Sequence, residues 1–185
     1  MEEHVILVDE KDNEIGTALK DTVHTKNTPL HRAFSFFLFN EKNELLVTKR
    51  SKDKKTFPGV WTNTVCGHPA PGEDVVDAIV RRLSQELGLT RSHLVMQGET
   101  LIREVSPYQY RFADKNGIVE NEICPIYIGK TSVDPNPDTR EVEAWKWIAW
   151  EDFLRMKDDP KEKFSPWSRE EAQLIRKAGF PPSRE

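Results

Sequence analysis

Two side chains that can exchange protons or bind metals, Cys66 and His68, flank a single glycine near the middle of the chain. A thiol can act as an acid or a base, and a neutral imidazole is a common metal ligand. A Pro-Ala-Pro-Gly turn follows, and then a segment whose charged residues recur at helical spacing. This combination within residues 61–89 predicts the floor of an active site that holds a metal and a diphosphate.

Further candidate metal ligands lie on both sides of this segment. His24 and His31 belong to one loop, and Glu120 and Glu122 are two apart on a predicted strand, so both carboxylates point to one face. Each histidine alone would more often be a surface or core residue, and the glutamates would suit a half-exposed strand. Paired carboxylates on one face, however, repel each other unless a cation lies between them. Three imidazoles and two carboxylates suit Mn²⁺, Zn²⁺ or Fe²⁺ better than Mg²⁺.

Residues 67–89 resemble the Nudix signature, with which hydrolases of that superfamily hold magnesium ions against a pyrophosphate. The positions that match in register are Gly67, Glu73, Arg81, Leu83, Glu86, Gly88 and Leu89. Arg82 and Gln85 stand where that family has glutamates, so the resemblance implies crippled hydrolysis of the usual kind. Glu86 remains to bind Mg²⁺, and Arg82 shares its helix face and would contact a diphosphate. The alternative is an ordinary amphipathic helix with a salt-bridged surface.

Four stretches make the chain similar to the type 1 isopentenyl diphosphate isomerases: T-N-T-V-C-G-H-P, H-T-K-N-T-P-L-H-R-A-F-S, G-I-V-E-N-E-I-C-P and F-S-P-W. That family interconverts isopentenyl and dimethylallyl diphosphate. The resemblance implies that Cys66 and Glu122 are the catalytic acid–base pair, and that Tyr110 and Trp167 line the hydrocarbon pocket and assist them.

The same resemblance implies two metal sites and a diphosphate site. Mn²⁺ or Zn²⁺ would be held by His24, His31, His68, Glu120 and Glu122. Glu86 would bind Mg²⁺ together with the diphosphate and the main-chain carbonyl of Cys66. The diphosphate itself would be held by Lys20, Arg50, Lys54 and Arg82. The remaining basic residues of the run 49–55 are expected to face solvent.

The chemistry of that family accounts for these residue types. Moving the double bond of an isoprene unit requires one proton to be added and another removed two carbons away, by groups on opposite faces of the substrate. Protonation of the alkene passes through a cation-like tertiary centre, which an aromatic face stabilises by roughly 2 kcal/mol when desolvated. Trp167 could supply that face, although by composition alone it would be a packing anchor at the start of a helix.

Composition excludes other classes of function. The chain has 185 residues and a net charge of −4, which favours neither nucleic acid nor a membrane surface. Two cysteines do not make a disulfide framework, so a reducing cytoplasm is expected. We expect one domain over residues 1–185, acting on a small diphosphate as a monomer or a homodimer.

The elements expected to position these residues are mostly strands, with one central helix and helices at the end. Strands are predicted at 4–9, 15–19, 33–39, 45–49, 108–112, 119–129 and 145–148, with residues 21–31 an irregular loop. The central helix is predicted over 73–87, with Val76, Val80, Leu83 and Leu87 as its buried stripe and Gly88 as its cap. A short helix at 151–156 and a last helix capped by Ser165 follow, and the tail 181–185 is expected to fray. The predicted class is α+β, a Nudix-like α/β/α layered domain with a mixed sheet.

Two other functions remain open at this point. A metal-dependent diphosphate hydrolase is disfavoured by Arg82 and Gln85, which replace metal-binding carboxylates. A diphosphate-binding module without catalysis would have no need of a thiol and a metal-bound glutamate at one pocket.

Overall fold

The computed structural model describes residues 2–180, so the frayed tail predicted at 181–185 lies outside the described residues. In chain order the elements are β1 (His4–Val8), β2 (Glu14–Leu19), α1 (Lys20–Val23), β3 (His31–Arg32), β4 (Phe34–Phe39), β5 (Glu44–Arg50), β6 (Trp61–Thr62), β7 (Val65–Gly67), α2 (Val75–Leu87), a 3₁₀ helix (Arg91–His93), β8 (Ile102–Ser106), β9 (Gln109–Ala113), β10 (Val119–Ile123), β11 (Ile126–Lys130), β12 (Val142–Ala149), α3 (Trp150–Met156) and α4 (Pro166–Lys177).

These strands form two sheets. The smaller has the order β2-β1-β3-β10-β9, and the larger has the order β12-β5-β4-β11-β8 with β6 paired to β5 and β7 paired to β4. Each sheet contains one parallel pair, β3 with β10 and β4 with β11, among antiparallel neighbours. Both sheets are therefore mixed, as the sequence predicts.

The prediction of one continuous strand over 119–129 is wrong, because the chain passes from the smaller sheet to the larger at Cys124-Pro125. Proline has no N–H to donate to a ladder, which suits a junction between strands. Ala33 makes the same passage beside it, between β3 and β4. The Ala33 N–H donates to the Ile123 carbonyl at 2.8 Å and the Ser35 N–H to the Pro125 carbonyl at 3.1 Å, so the ladder continues across the junction.

Helices cover both faces of the larger sheet because β4 is apolar on both sides. All six residues of β4 are buried. Phe34, Phe36 and Leu38 pack with α2 on one face, whereas Phe37 and Phe39 pack with α3 and α4 on the other. The predicted α+β class and its helix–sheet–helix layering are confirmed.

The strands β4 and β5 are consecutive in the chain and antiparallel, but they pair with each other over a short length. Phe39 and Leu45 are their one pair of ladder partners. Beyond that pair the strands diverge, so β4 pairs with β7 and β5 pairs with β6 and β12. This divergence places Cys66 of β7 directly opposite Ser35 of β4.

Helix α2 is confirmed in place, and its cap Gly88 has the left-handed φ of 65° that the sequence predicts. The predicted stripe is only half right: Leu83 and Leu87 are buried, but Val76 and Val80 are partly exposed. Ala78 and Ile79 complete the buried face. Arg82 and Glu86, placed by sequence on the polar faces, are buried as well, because the two side chains form an ion pair within the fold.

Two segments that the sequence left irregular contain short elements. Residues 21–31, predicted to be a loop, overlap α1 and reach β3. Residues 90–106, for which the sequence predicts no element, contain the 3₁₀ helix and β8. Among the described residues, no helix has both the length and the apolar character that a bilayer crossing requires.

Candidate active site

A cavity of about 290 Å³ opens where the two sheets meet. Its walls bring together residues from α1, β7, α2, β9, β10, α4 and the loop that follows β5. The residues that line it are Lys20, Asp21, His24, Arg50, Lys54, Lys55, Thr56, Cys66, Gly67, His68, Arg82, Tyr110, Glu120, Glu122 and Trp167. Of the residues predicted from sequence, His31 and Glu86 lie just behind this wall; the rest line the cavity. Lys55, which was expected to face solvent, also reaches it.

A cluster of imidazoles and carboxylates forms one end of the cavity. His24, His31, His68 and Glu122 each place one nitrogen or oxygen atom within 4.8 Å of all the others. The His68 Nε2 and His31 Nε2 atoms lie 3.0 and 3.4 Å from Glu122 Oε1, and the two nitrogens are 3.2 Å apart. Glu120 joins this group through His24, with its Oε2 at 3.0 Å from His24 Nε2.

The donor set fits a divalent metal. His24 Nε2 and Glu120 Oε2 are buried and close, yet neither atom makes a well-formed hydrogen bond among the described residues. A metal ion bound to both atoms would satisfy them. Ligands at right angles around a metal with bonds of about 2.1 Å lie about 3 Å apart, which matches these separations.

Hydrogen bonds behind the cluster fix its orientation. The main-chain carbonyl of Pro29 lies 2.9 Å from His31 Nδ1, so this nitrogen donates a hydrogen bond to it and the ring turns its Nε2 towards Glu122 Oε1. The Thr56 hydroxyl donates to Glu120 Oε1 at 2.5 Å. The Tyr110 hydroxyl donates to Glu122 Oε2 at 2.6 Å, which leaves Oε1 for the imidazoles.

The charge states of the cluster follow from these contacts. Burial alone would raise the pKa of Glu122, but hydrogen bonds from His31 and His68 lower it well below its ordinary range. Burial lowers the pKa of His68 to about 4, against the effect of Glu122. A neutral imidazole and an ionised carboxylate are the forms that bind metals.

The Cys66 thiol faces the same cavity from β7. It donates to Asn63 Oδ1 at 3.2 Å, and the Ser35 hydroxyl lies 3.4 Å from its sulfur. The Asn63 amide cannot turn round, because its Nδ2 donates to the carbonyls of Phe36 and Val65. Burial raises the pKa of the Cys66 thiol, and the charge of Glu171 raises it further, so this group holds its proton at neutral pH.

Three aromatic rings form the wall beside the thiol. Trp167 stacks on Tyr110 with ring centroids 5.9 Å apart and meets Phe57 edge to face at 4.9 Å. The Trp167 Nε1–H donates to Thr62 Oγ1 at 3.0 Å, which fixes the indole. The Arg50 guanidinium lies 5.9 Å from the centroid of this ring. The indole therefore already accommodates one cation near its π system.

Three of the basic residues predicted to hold a diphosphate, Lys20, Lys54 and Arg82, line one surface pocket with Glu3 and Glu141, and carboxylates pair with each of them. Lys20 pairs with Glu3 at 2.5 Å, and Lys54 pairs with Glu141. Arg82 pairs with Glu141 at 3.3 Å and with Glu86 at 2.5 Å. Burial and the nearby charge of Arg82 lower the pKa of Lys20, as expected where cations crowd together. Arg50 is set apart from this group, since its guanidinium donates to Thr56.

Several residues of the site were not found from the sequence. Ser35, Asn63, Thr56 and Glu141 contact predicted residues. Ser35 and Asn63 lie in stretches that carry the family resemblance, but the sequence assigns no role to any of the four. The burial of Glu171 could have been inferred from the sequence, because this residue lies one helical turn after Trp167, on a helix face whose other residues are buried.

Comparison with known proteins agrees with this geometry. Residues 29–168 match the family model described as "NUDIX domain". A curated isopentenyl-diphosphate Delta-isomerase of Salmonella arizonae is 47% identical over 90% of this chain and 87% of its own length. That of Kocuria rhizophila is 45% identical over 89% of this chain and 88% of its own.

Solved structures support the fold alone. The DR0079 protein of Deinococcus radiodurans superposes with a TM-score of 0.71 at 20% identity, covering 95% of this chain and 99% of its own. The MutT protein of Methanosarcina mazei superposes with a TM-score of 0.64 at 20% identity, and the match covers 82% of this chain and 96% of that protein. With the family match and these relatives, the chain belongs to the Nudix family and, within it, to the isopentenyl-diphosphate Delta-isomerases.

Proposed function

We propose that this chain interconverts isopentenyl and dimethylallyl diphosphate, with Cys66 and Glu122 exchanging protons with the substrate. The observation that carries the proposal is that a thiol and a buried carboxylate face one cavity, which basic and aromatic side chains also line. The curated relatives carry the name of that activity. A pair of acid–base groups placed about one flat substrate is what a 1,3 shift of a double bond requires.

In the forward reaction one member of the pair adds a proton to the terminal alkene carbon, and the other removes a proton from the carbon two bonds away. The electrons of the broken C–H bond form the new double bond, so charge and atoms balance. The groups exchange roles when the reaction reverses. The Tyr110 hydroxyl, whose pKa is raised by burial and by Glu122, stays protonated and holds the Glu122 carboxyl in position.

The aromatic wall has two tasks in this scheme. The face of Trp167 stabilises the tertiary cation-like centre by roughly 2 kcal/mol. Together with Phe57 and Tyr110 it also excludes water, which would otherwise trap that centre as an alcohol.

Charge balance explains why a metal would accompany the diphosphate. The cations Lys20, Lys54 and Arg82 already face the carboxylates Glu3, Glu86 and Glu141, so little net positive charge is free for a diphosphate. Mg²⁺ bound through Glu86 and phosphate oxygens would supply the missing charge. We place a second divalent metal, Mn²⁺ or Zn²⁺, in the cluster of His24, His31, His68, Glu120 and Glu122, where it would fix Glu122 and tune its acidity.

The activity is tested by incubating the protein with isopentenyl diphosphate in heavy water containing Mg²⁺ and Mn²⁺. Deuterium in dimethylallyl diphosphate supports the isomerase. Released phosphate would instead support a hydrolase, and unchanged substrate that stays bound would support a binding module. Both results contradict the proposal.

The roles of the acid–base pair are tested by Cys66→Ala and Glu122→Gln. Each variant is expected to abolish isomerisation while diphosphate binding, followed by calorimetry, survives. Cys124→Ala is the matched control, because Cys124 is the other free cysteine and is a fully buried thiol that does not line the cavity. Appreciable turnover by either cavity variant would overturn the assignment.

The metal cluster is tested by Glu120→Gln, which keeps an acceptor for Thr56 but removes the negative charge. The Kd for Mn²⁺, measured by calorimetric titration, should rise at least about 10-fold, since weakening even the supporting residues of a metal site has that effect. Glu104→Gln, which alters a carboxylate remote from the cavity, should leave the Kd unchanged. Equal Kd values for all three proteins would place the metal elsewhere.

A further inference from the structure

A buried threonine, Thr56, lies between the metal cluster and one of the cations expected to hold the diphosphate. It belongs to the loop that follows β5 and lines the cavity, and its exposed fraction is 5%. Its hydroxyl donates to Glu120 Oε1 at 2.5 Å and lies 3.2 Å from Arg50 Nη2. The proposed mechanism gives this residue no task, although its contacts reach both sites.

The direction of these two hydrogen bonds is forced. A guanidinium can only donate, so the Thr56 hydroxyl oxygen accepts from Arg50, and its own hydrogen is left for Glu120. Arg50 Nη2 and Nε also donate to the Thr56 main-chain carbonyl, at 2.9 and 3.2 Å. The guanidinium is therefore held on Thr56 through Nε and Nη2, which leaves Nη1 for a phosphate oxygen.

The Glu120 carboxylate depends on Thr56 more than Glu122 depends on any one partner. Among the described residues, the Thr56 hydroxyl is the one hydrogen-bond donor to the Glu120 side chain, and Glu120 Oε2 is left for a metal beside His24. Glu122, by contrast, is held by Tyr110 at one oxygen and by His68 at the other. Loss of the Thr56 hydroxyl would therefore free Glu120 to turn away from the cluster.

The backbone next to Thr56 is strained. Phe57 has a φ of 47°, in the left-handed region that bulky residues rarely adopt. Such strain persists only where surrounding contacts determine the conformation, and it is commonest at functional sites. Here the Phe57 ring meets Trp167 edge to face at 4.9 Å, and the Arg50 guanidinium lies 5.9 Å from the same indole. Arg50, Thr56 and Phe57 thus hold one another in place at the cavity wall.

We propose that Thr56 couples the diphosphate site to the metal centre. A diphosphate bound at Arg50 Nη1 fixes the guanidinium, the guanidinium fixes the Thr56 hydroxyl, and the hydroxyl holds Glu120 in the orientation that a metal requires. Because coupling between two binding sites is reciprocal, a metal on Glu120 strengthens diphosphate binding by the same factor. In this arrangement, which rests on the proposed function, Thr56 acts through Arg50 and Glu120 and is a positioning residue.

Calorimetric titration of Mn²⁺ alone into Thr56→Val and Thr56→Ser tests the hydroxyl. Valine has the shape of threonine but lacks the hydroxyl, so its Kd for Mn²⁺ should rise at least about 10-fold, the low end for residues that orient metal ligands. Serine keeps the hydroxyl and should keep the wild-type Kd. Thr131→Val is the matched control and should also keep it, because Thr131 is a fully buried threonine whose hydroxyl donates to the His93 carbonyl away from the cavity.

Arg50→Lys tests the link to the diphosphate site, because lysine keeps the charge but lacks the fork of donors that bonds to Thr56. In the wild-type background this change should raise the Kd for Mn²⁺ at least about twofold, the low end of the coupling within one hydrogen-bond network. In the Thr56→Val background the same change should have no further effect, since the connection to Glu120 is already broken.

Three results would overturn the proposal: an unchanged Kd in Thr56→Val, an equal rise in Thr56→Val and Thr56→Ser, or an effect of Arg50→Lys that is the same in both backgrounds. If Thr56→Val does not fold, an unchanged Kd in Arg50→Lys alone refutes the coupling. Wild-type protein that binds no Mn²⁺ or shows no isomerisation would remove the proposed function itself, which is a different result from any of these.

Discussion

At the scale of single residues, the site depends on partners that hold each reactive group in one state. The Cys66 thiol has its hydrogen aimed at Asn63 and a donor at its sulfur, while Glu122 has one oxygen bound by Tyr110 and the other by imidazoles. The gathering of the thiol, the imidazoles and the paired carboxylates at one cavity was predictable, because these residue types are uncommon and have recognisable spacing. Ser35, Asn63 and Glu171 were not, because serine, asparagine and glutamate occur in many places and act here only through contacts made in three dimensions.

Tyr110→Phe tests the support given to the carboxylate. Removing this donor leaves Glu122 Oε2 buried without a partner, which costs about 1–3 kcal/mol, so kcat should fall by roughly 5- to 150-fold. Tyr127→Phe removes a comparable hydroxyl whose partner, Glu104, is remote from the cavity, and it should retain full activity. Steady-state kinetics of the two variants make the comparison, and equal kcat values would show that the Tyr110 hydroxyl does not act on Glu122.

At the scale of elements, the strands were largely predictable and their partners were not. Alternation and apolar runs located most strands, but the passage between sheets at Pro125 is fixed by which neighbours accept hydrogen bonds, and these are distant in sequence. The face of α2 was misjudged for a related reason. A charged pair such as Arg82 and Glu86 is polar in the sequence, but it is buried because its charges satisfy each other.

The segment that leads into β12 supplies Glu141. This carboxylate forms ion pairs with Lys54 and Arg82, two of the cations expected to hold the diphosphate. Glu141→Gln should release Lys54 and Arg82 and so lower KM for the diphosphate at limiting Mg²⁺, by up to about fivefold, because partly exposed ion pairs contribute roughly 0.2–1 kcal/mol. Glu143→Gln is the control on the same strand, since Glu143 pairs with Lys49 outside the cavity. A rise in KM would mean that Glu141 assists binding of the metal–diphosphate complex instead of competing with it.

At the scale of the whole molecule, the buried carboxyl group of Glu171 makes the free energy of unfolding depend on pH. The pKa of Glu171 is raised by burial from about 4.5 in an unfolded chain to about 8, so the folded protein binds this proton more tightly than the unfolded one does. The stabilising contribution of this bound proton to the free energy of unfolding is fully present below pH 4.5 and is lost as the pH rises through 8. It amounts to roughly 4–5 kcal/mol over that window, at about 1.4 kcal/mol for each pKa unit.

Glu171→Gln should therefore gain stability relative to the wild type as pH rises from 5 to 8, and the difference should level off above pH 8. Urea unfolding of both proteins at pH 5, 6.5, 8 and 9 measures this difference. Glu170→Gln provides the baseline for losing an exposed carboxylate from the same helix. A difference between wild type and Glu171→Gln that does not change with pH would show that Glu171 is not protonated in the fold.

The junction between the two sheets has a consequence for how the protein tolerates damage. Both chain segments that cross this junction, at Ala33 and at Cys124-Pro125, carry unbroken ladder hydrogen bonds. The cavity lies beside the junction. Glu122 belongs to one sheet and Cys66 to the other, so any fluctuation that parts the sheets separates these two side chains, while the apolar clusters on the two faces of the larger sheet stay packed. Damage at this junction should therefore lower the enzymatic activity before it lowers the melting temperature. The amides of Ala33 and Ser35, observed by hydrogen exchange, would report the same opening directly.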